Sequence, residues 1–146
     1  MCKLVSAMKI FTKLVILALI MASLVSCKKK VEEKKKDLVM AAITSGVWYV
    51  EKYLEGTNDI SGDFVGYIFK FNTDGTVTGD KAGDISNGTW SGNAVNYSIT
   101  SNFTGAGDPV SKLNGIWNIT DSYWDYVEAE KNTSSGKDIL HLRKKP

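Results

Sequence analysis

From Ile43 onward, short apolar or alternating runs are separated by Gly, Asn and Asp, and no long stretch at helical period follows residue 45. Alternation with a period of two, bounded by turn formers, predicts antiparallel strands. Eight segments fit: Val47–Tyr53, Phe64–Phe71, Thr76–Asp80, Gly88–Ser91, Val95–Thr100, Gly115–Thr120, Tyr123–Glu130 and Ile139–Arg143. Asn72-Thr73-Asp74-Gly75 reads as a hairpin turn because Asp-Gly supplies the positive φ that tight hairpins need. Ser91-Gly92-Asn93 and Ser134-Ser135-Gly136-Lys137 read the same way.

Alternation also sorts the faces. Lys70 prefers water, so Val65, Tyr67, Phe69 and Phe71 belong to the buried face. The same phase puts Trp48, Val50, Val95, Tyr97, Ile99, Trp117, Ile119, Leu140 and Leu142 inside. Asp37 is placed to cap a short helix over Leu38–Ile43. Eight antiparallel strands with one buried face close into a small barrel and so remove their edges. The predicted fold is all-β: an eight-stranded antiparallel up-and-down barrel with a short N-terminal helix.

The first 37 residues follow other patterns. Lys9 and Lys13 precede an uninterrupted apolar and small run, Leu14–Val25, that ends at Ser26-Cys27. Twelve helical residues span about 18 Å against a hydrocarbon core of about 30 Å, so the run predicts an export signal rather than a membrane span. Met8 competes with Met1 as its start. Leu24-Val25-Ser26-Cys27 resembles the lipobox of bacterial lipoproteins. That resemblance implies a signal peptide over residues 1–26, cleavage before Cys27, a diacylglycerol on the Cys27 thiol and a fatty acyl group such as palmitate on its amine. The competing reading is an ordinary secretory signal ending at a Cys. Residues 27–37 then form a charged tether with six Lys against Glu32, Glu33 and Asp37. With 146 residues in all, the remaining 38–146 make one domain. That domain has no Cys and carries 9 basic against 13 acidic residues, which makes nucleic acid an unsuitable partner.

Gly46-Val47-Trp48 resembles the Gly-x-Trp opening of the first lipocalin strand. Phe69-Lys70-Phe71-Asn72-Thr73-Asp74-Gly75-Thr76-Val77 with Gly88-Thr89-Trp90-Ser91 is similar to lipocalin-like domains of bacterial envelope lipoproteins. The resemblance implies that Arg143, on the last strand, packs over Trp48 to close the barrel. It also implies a cell-envelope protein of a Gram-negative bacterium, anchored by lipid at the outer membrane, with a small hydrophobic or carbohydrate ligand. The Thr-Asp-Tyr loop motif and C-terminal helix of transport lipocalins are absent.

If the barrel is hollow, alternation makes Tyr67, Phe69, Tyr97 and Trp117 the walls of its ligand pocket. Four Trp and many inward Tyr and Phe favour a filled interior instead. In that case, the aromatic run Tyr123-Trp124-Asp125-Tyr126 becomes the surface for another envelope protein. Catalysis is not expected: His141 is alone and falls on the outward phase. Asp74, Asp80 and Asp84 lack calcium-loop spacing and read as turn formers. No cofactor or metal is expected. A ligand-binding module and a filled-barrel interaction protein therefore remain as two readings.

Overall fold

The computed structural model describes residues 40–146; the apolar run, Cys27, the tether and the Asp37 cap lie outside them. A helical turn over residues 40–44 is followed by β1 (Trp48–Glu55), β2 (Asn58–Asp59), β3 (Ile68–Phe71), β4 (Thr76–Lys81) and β5 (Asp84–Asn93). β6 (Ser98–Asn102), β7 (Gly115–Ser122), β8 (Tyr126–Thr133) and β9 (Gly136–Lys144) complete the sheet. All pairings are antiparallel, and β9 returns to β1 from Trp48↔Lys144 to Leu54↔Ile139. β2 only extends β1 through Leu54↔Asp59 and Glu55↔Asn58. The other eight strands form a closed up-and-down barrel, as the alternation predicts.

The barrel has two ends. At the terminal end lie residues 40–46, the C-terminus and the turns after β3, β5 and β7. At the crossover end lie the turns after β1, β4 and β8 and the 103–114 connection. The terminal end is covered by the helical turn: Thr44 Oγ1 donates to the Met40 carbonyl (2.7 Å), Ile43 is buried, and Trp48 Nε1 donates to the Ile43 carbonyl (2.8 Å). The crossover end is covered by a short 3-10 turn, Val110–Leu113, with Val110, Leu113 and Phe103 buried beneath it. Asn114 Oδ1 accepts from Phe103 N (2.6 Å), and the Leu113 carbonyl accepts from Trp117 Nε1 (2.9 Å), so the connection is fastened to the barrel.

One seam is thin. β1 meets β3 at the single pair Trp48↔Phe69. The strand expected over Phe64–Phe71 begins only at Ile68: Phe64 instead ends a 3-10 turn, Ser61–Phe64, and Gly66 follows at φ 89°. This turn drives Phe64 into the seam, where it stacks on Tyr53 at 5.3 Å, while Tyr67 stacks on Phe69 at 6.0 Å.

The expected inward residues Trp48, Val50, Phe69, Phe71, Ile99, Trp117, Leu140 and Leu142 are buried, and Tyr67 and Ile119 are partly so. Val65, Val95 and Tyr97 are exposed. Each of these three lies in a turn rather than a strand, so alternation does not govern it. The hairpin expected at Ser91-Gly92-Asn93 comes later, because β5 runs on to Asn93. Tyr97 takes a left-handed φ of 47° while its carbonyl accepts from Ile119 N (2.7 Å), which turns the ring outward. Asp74 and Asp80 are turn formers: Asp74 Oδ1 accepts from Thr76 N (2.9 Å) and Asp80 Oδ1 from Gly83 N (2.8 Å).

Gly88 marks the tightest approach in the sheet. A Cβ there would lie 2.6 Å from the Asn102 carbonyl oxygen, a backbone atom that cannot swing aside. Gly88→Ala is expected to lower stability by about 1–3 kcal/mol, read as a shift of the urea midpoint.

A polar mouth as the candidate functional site

The barrel interior is nearly full. The cavity among Phe69, Phe71, Ile99, Phe103, Trp117 and Leu140 measures about 30 Å³. One water needs about 10–15 Å³ on this measure, whereas ligand pockets usually run to about 300–1,000 Å³. A second apolar space beneath the helical turn, beside Trp48 and Tyr123, measures about 50 Å³.

Of the four residues expected to wall a pocket, Phe69 and Trp117 line the small interior cavity. Tyr67 packs in the β1–β3 seam with Lys81 Nζ 4.9 Å from its ring centre. Tyr97 lies outside. Tyr97 therefore does not face the barrel interior as alternation proposes, while Tyr67 packs partly buried against the core without lining that cavity.

A third and more open space, about 210 Å³, lies at the crossover end among Tyr53, Glu55, Lys112, Lys131, Thr133, Ser135 and Asp138. Strand register assembles it. Lys131 on β8 pairs directly with Asp138 on β9, so their side chains share a face; Tyr53 on β1 pairs with Leu140, two residues along the same face. The Tyr53 hydroxyl is shared between the Lys112 carbonyl (3.0 Å) and Asp138 Oδ2 (3.2 Å). Lys131 Nζ donates to the carbonyls of Lys112 (2.7 Å) and Asn114 (3.2 Å), sits 3.6 Å from Asp138 Oδ2, and lies 4.5 Å from the Trp117 ring centre. Lys131 thus ties the 103–114 connection to the barrel wall.

Asp138 Oδ1 receives no hydrogen bond among the described residues. Since no fully buried side-chain oxygen there goes unpartnered, Oδ1 must open to the mouth. Lys112 Nζ bridges Glu55 Oε1 (2.9 Å) and Asp108 Oδ2 (3.7 Å) at the rim. Two carboxylates and two ammoniums line the space, so its formal charge balances.

Burial, reinforced by the Asp138 carboxylate, raises the Tyr53 phenol far above its ordinary range. Burial also lowers the Lys131 ammonium, with Asp138 opposing the shift. The hydrogen bond to Glu55 raises Lys112. As pH climbs past about 10, unfolded chains lose a tyrosine proton that folded Tyr53 keeps, so this group's contribution to stability falls. Lys131 acts in the opposite sense just below the ordinary lysine value, where the unfolded chain binds the proton more tightly. Tyr53→Phe is expected to make the alkaline loss of stability shallower, as read by denaturation between pH 8 and 11.

Arg143 is not over Trp48. It pairs with Tyr49 in register and therefore points outward, while Lys144 pairs with Trp48 and shares its face. Lys144 Nζ lies 5.2 Å from the Trp48 ring centre. The Arg143 guanidinium instead lies 5.2 Å from the Tyr126 ring and donates to Glu51 at 3.3 and 3.1 Å. As an exposed ion pair it holds little of the fold. Arg143→Ala is expected to leave the melting temperature near that of the parent protein.

His141 Nε2 is 3.9 Å from Glu128 Oε2 on the outer wall. Tyr123 and Trp124 stand exposed at the terminal end. Among the described residues, no three His, Cys, Asp or Glu side chains gather as metal ligands would.

Lys131 and Asp138 each fall one residue outside the expected strands. The strand expectations stop at Glu130 and resume at Ile139, which leaves Lys131 and Asp138 in a presumed loop. Carrying the hairpin register outward from the Ser134-Ser135 turn pairs them.

The architecture defines the class: a closed, eight-stranded antiparallel barrel with a filled core. A DUF4847-family protein of Bacteroides vulgatus has a similar fold, with a TM-score of 0.52 at 16% identity, covering 74% of this chain and 99% of that one. No family profile matches this sequence, and no curated protein does either.

Proposed function

We propose that this protein is a non-catalytic, lipid-anchored cell-envelope binding module of a Gram-negative bacterium that recognises a small polar ligand at the mouth of its barrel. Support comes chiefly from the distribution of space: about 210 Å³ at a polar mouth against about 30 Å³ in the apolar interior. The mouth presents free acceptors on Asp138 and Glu55, the Lys112 ammonium and the Ser135 hydroxyl, with no excess charge. A neutral polyhydroxylated ring, such as a sugar, matches that set better than an apolar chain. The anchor at Cys27 rests on the lipobox resemblance, and outer-membrane residence on the likeness to lipocalin-like envelope lipoproteins.

Thermal-shift screening with neutral mono- and disaccharides tests this reading. A stabilising sugar whose effect falls at least tenfold in concentration dependence in Glu55→Gln, with the fold intact by circular dichroism, supports it. Stabilisation by fatty acids instead, unaffected by Glu55→Gln, would contradict it. The second reading, docking of another envelope protein, draws on the exposed Tyr123 and Trp124. Crosslinking from Trp124 in intact envelopes tests that one.

A further inference from the structure

We infer that the terminal end of the barrel seats on the surface of the bilayer to which the chain is anchored, through Tyr97, Tyr123 and Trp124. This rests on the anchoring reading above.

Among the described residues, the exposed aliphatic side chains Val65, Ile85 and Ile116 lie toward the crossover end, whereas Val95 and the exposed aromatic ones, Tyr97, Tyr123 and Trp124, are 67, 53, 69 and 50% exposed at the terminal end. All four lie in the turns after β5 and β7, and the hydrogen bond from Ile119 N to the Tyr97 carbonyl joins the first turn to the strand that carries the second. Both turns belong to the end where the chain enters. Residues 40–44 pack there, and Lys145 N donates to the Val47 carbonyl (2.9 Å), bringing the C-terminal lysines to the same end.

The chemistry of the patch favours a lipid surface. Tyr and Trp, with an apolar body and a polar edge, concentrate where hydrocarbon meets headgroups. The nearby carboxylates are occupied: Asp121 accepts from the Tyr126 hydroxyl (2.8 Å), and Asp125 lies 3.7 Å from Arg143. Lys144 and Lys145 stand at the rim, and six further Lys lie between Cys27 and Met40. Only about a dozen residues separate Cys27 from Met40, so an anchored domain meets the membrane at high effective concentration and a weak contact suffices. Seating this end on lipid turns the polar mouth, at the opposite end, away from the membrane.

Trp124 is its own reporter, because Trp48, Trp90 and Trp117 are buried at 0, 4 and 3% exposure. The full chain, produced in a bacterium that processes lipoproteins, is reconstituted into phosphatidylethanolamine–phosphatidylglycerol vesicles with and without acyl-brominated lipid, and its intact mass is taken. The expected result is an acylated mass with Trp124 emission shifted to the blue and quenched by bromolipid. Quenching is lost in Trp124→Phe and weakened several-fold in Tyr97→Asn with Tyr123→Ser, where Asn keeps the left-handed turn. An acylated protein whose Trp124 is unquenched, and open to acrylamide, overturns the docking while leaving the anchor in place. Shielding of Trp124 in native membranes but not in pure vesicles also overturns it, in favour of a protein partner. A mass without acyl groups overturns the anchor and the docking together.

Discussion

Lys131→Met is expected to destabilise the protein by about 2–3 kcal/mol. Its side chain is 16% exposed and that of Asp138 only 7%, so removing the ammonium leaves a largely buried carboxylate whose remaining protein donor is the Tyr53 hydroxyl, with Oδ1 alone reaching the mouth. The residual exposure places the loss near or below the low end of the range for breaking a fully buried pair. Replacing both partners, Lys131→Met with Asp138→Leu, is expected to recover most of the loss, because two apolar groups leave no orphaned charge. Urea denaturation of the two single variants and the double variant gives the coupling. Equal, additive losses would show that Lys131 and Asp138 do not act as a pair. The carbonyls of Lys112 and Asn114 lose a donor as well, so the 103–114 connection is also expected to loosen in Lys131→Met, visible as faster amide exchange there.

The other large effect lies at the opposite end. Trp48→Ala is expected to cost about 3–5 kcal/mol, since Trp48 is fully buried, holds the helical turn through the Ile43 carbonyl and carries Lys144 across its ring. Trp48→Phe keeps most of the volume and leaves the Ile43 carbonyl without its donor, so about 1 kcal/mol is expected. Arg143→Ala provides the contrast. If Arg143→Ala unfolded the protein as readily as Trp48→Ala, the outward placement of Arg143 would be wrong.

The barrel was legible because most of its strands keep a period of two over one buried face, broken at the register shifts at Val50/Lys52 and Ile119/Asp121. Phe69, Phe71, Trp117, Leu140 and Leu142 could be placed from that alone. Failures cluster where local backbone chemistry overrides the period. Val65 sits between a 3-10 turn and Gly66, and Tyr97 follows an Asn-bracketed turn, so both face water despite their apolar character. The reverse error hid Phe103, Val110 and Leu113: a connection that carries Gly105, Gly107, Asp108 and Pro109 looks like open loop, yet it folds back over the barrel and supplies core. Arg143 shows how register decides what alternation cannot. Shifted by one residue along β9, the cation over Trp48 is Lys144. The mouth was missed for a related reason, since Lys131, Asp138 and Tyr53 are polar groups whose meaning appears only when three strands are set side by side.

A filled interior and a ligand-binding mouth are tested most directly by amide chemical-shift mapping of the protein. Titration with neutral sugars is predicted to move resonances of Tyr53, Glu55, Lys112 and residues 131–138, while a fatty acid leaves Phe69, Phe71, Trp117 and Leu140 unmoved. Saturable shifts at those four interior residues on adding the fatty acid, with the mouth silent to every sugar, would contradict both and return the ligand to the inside of the barrel.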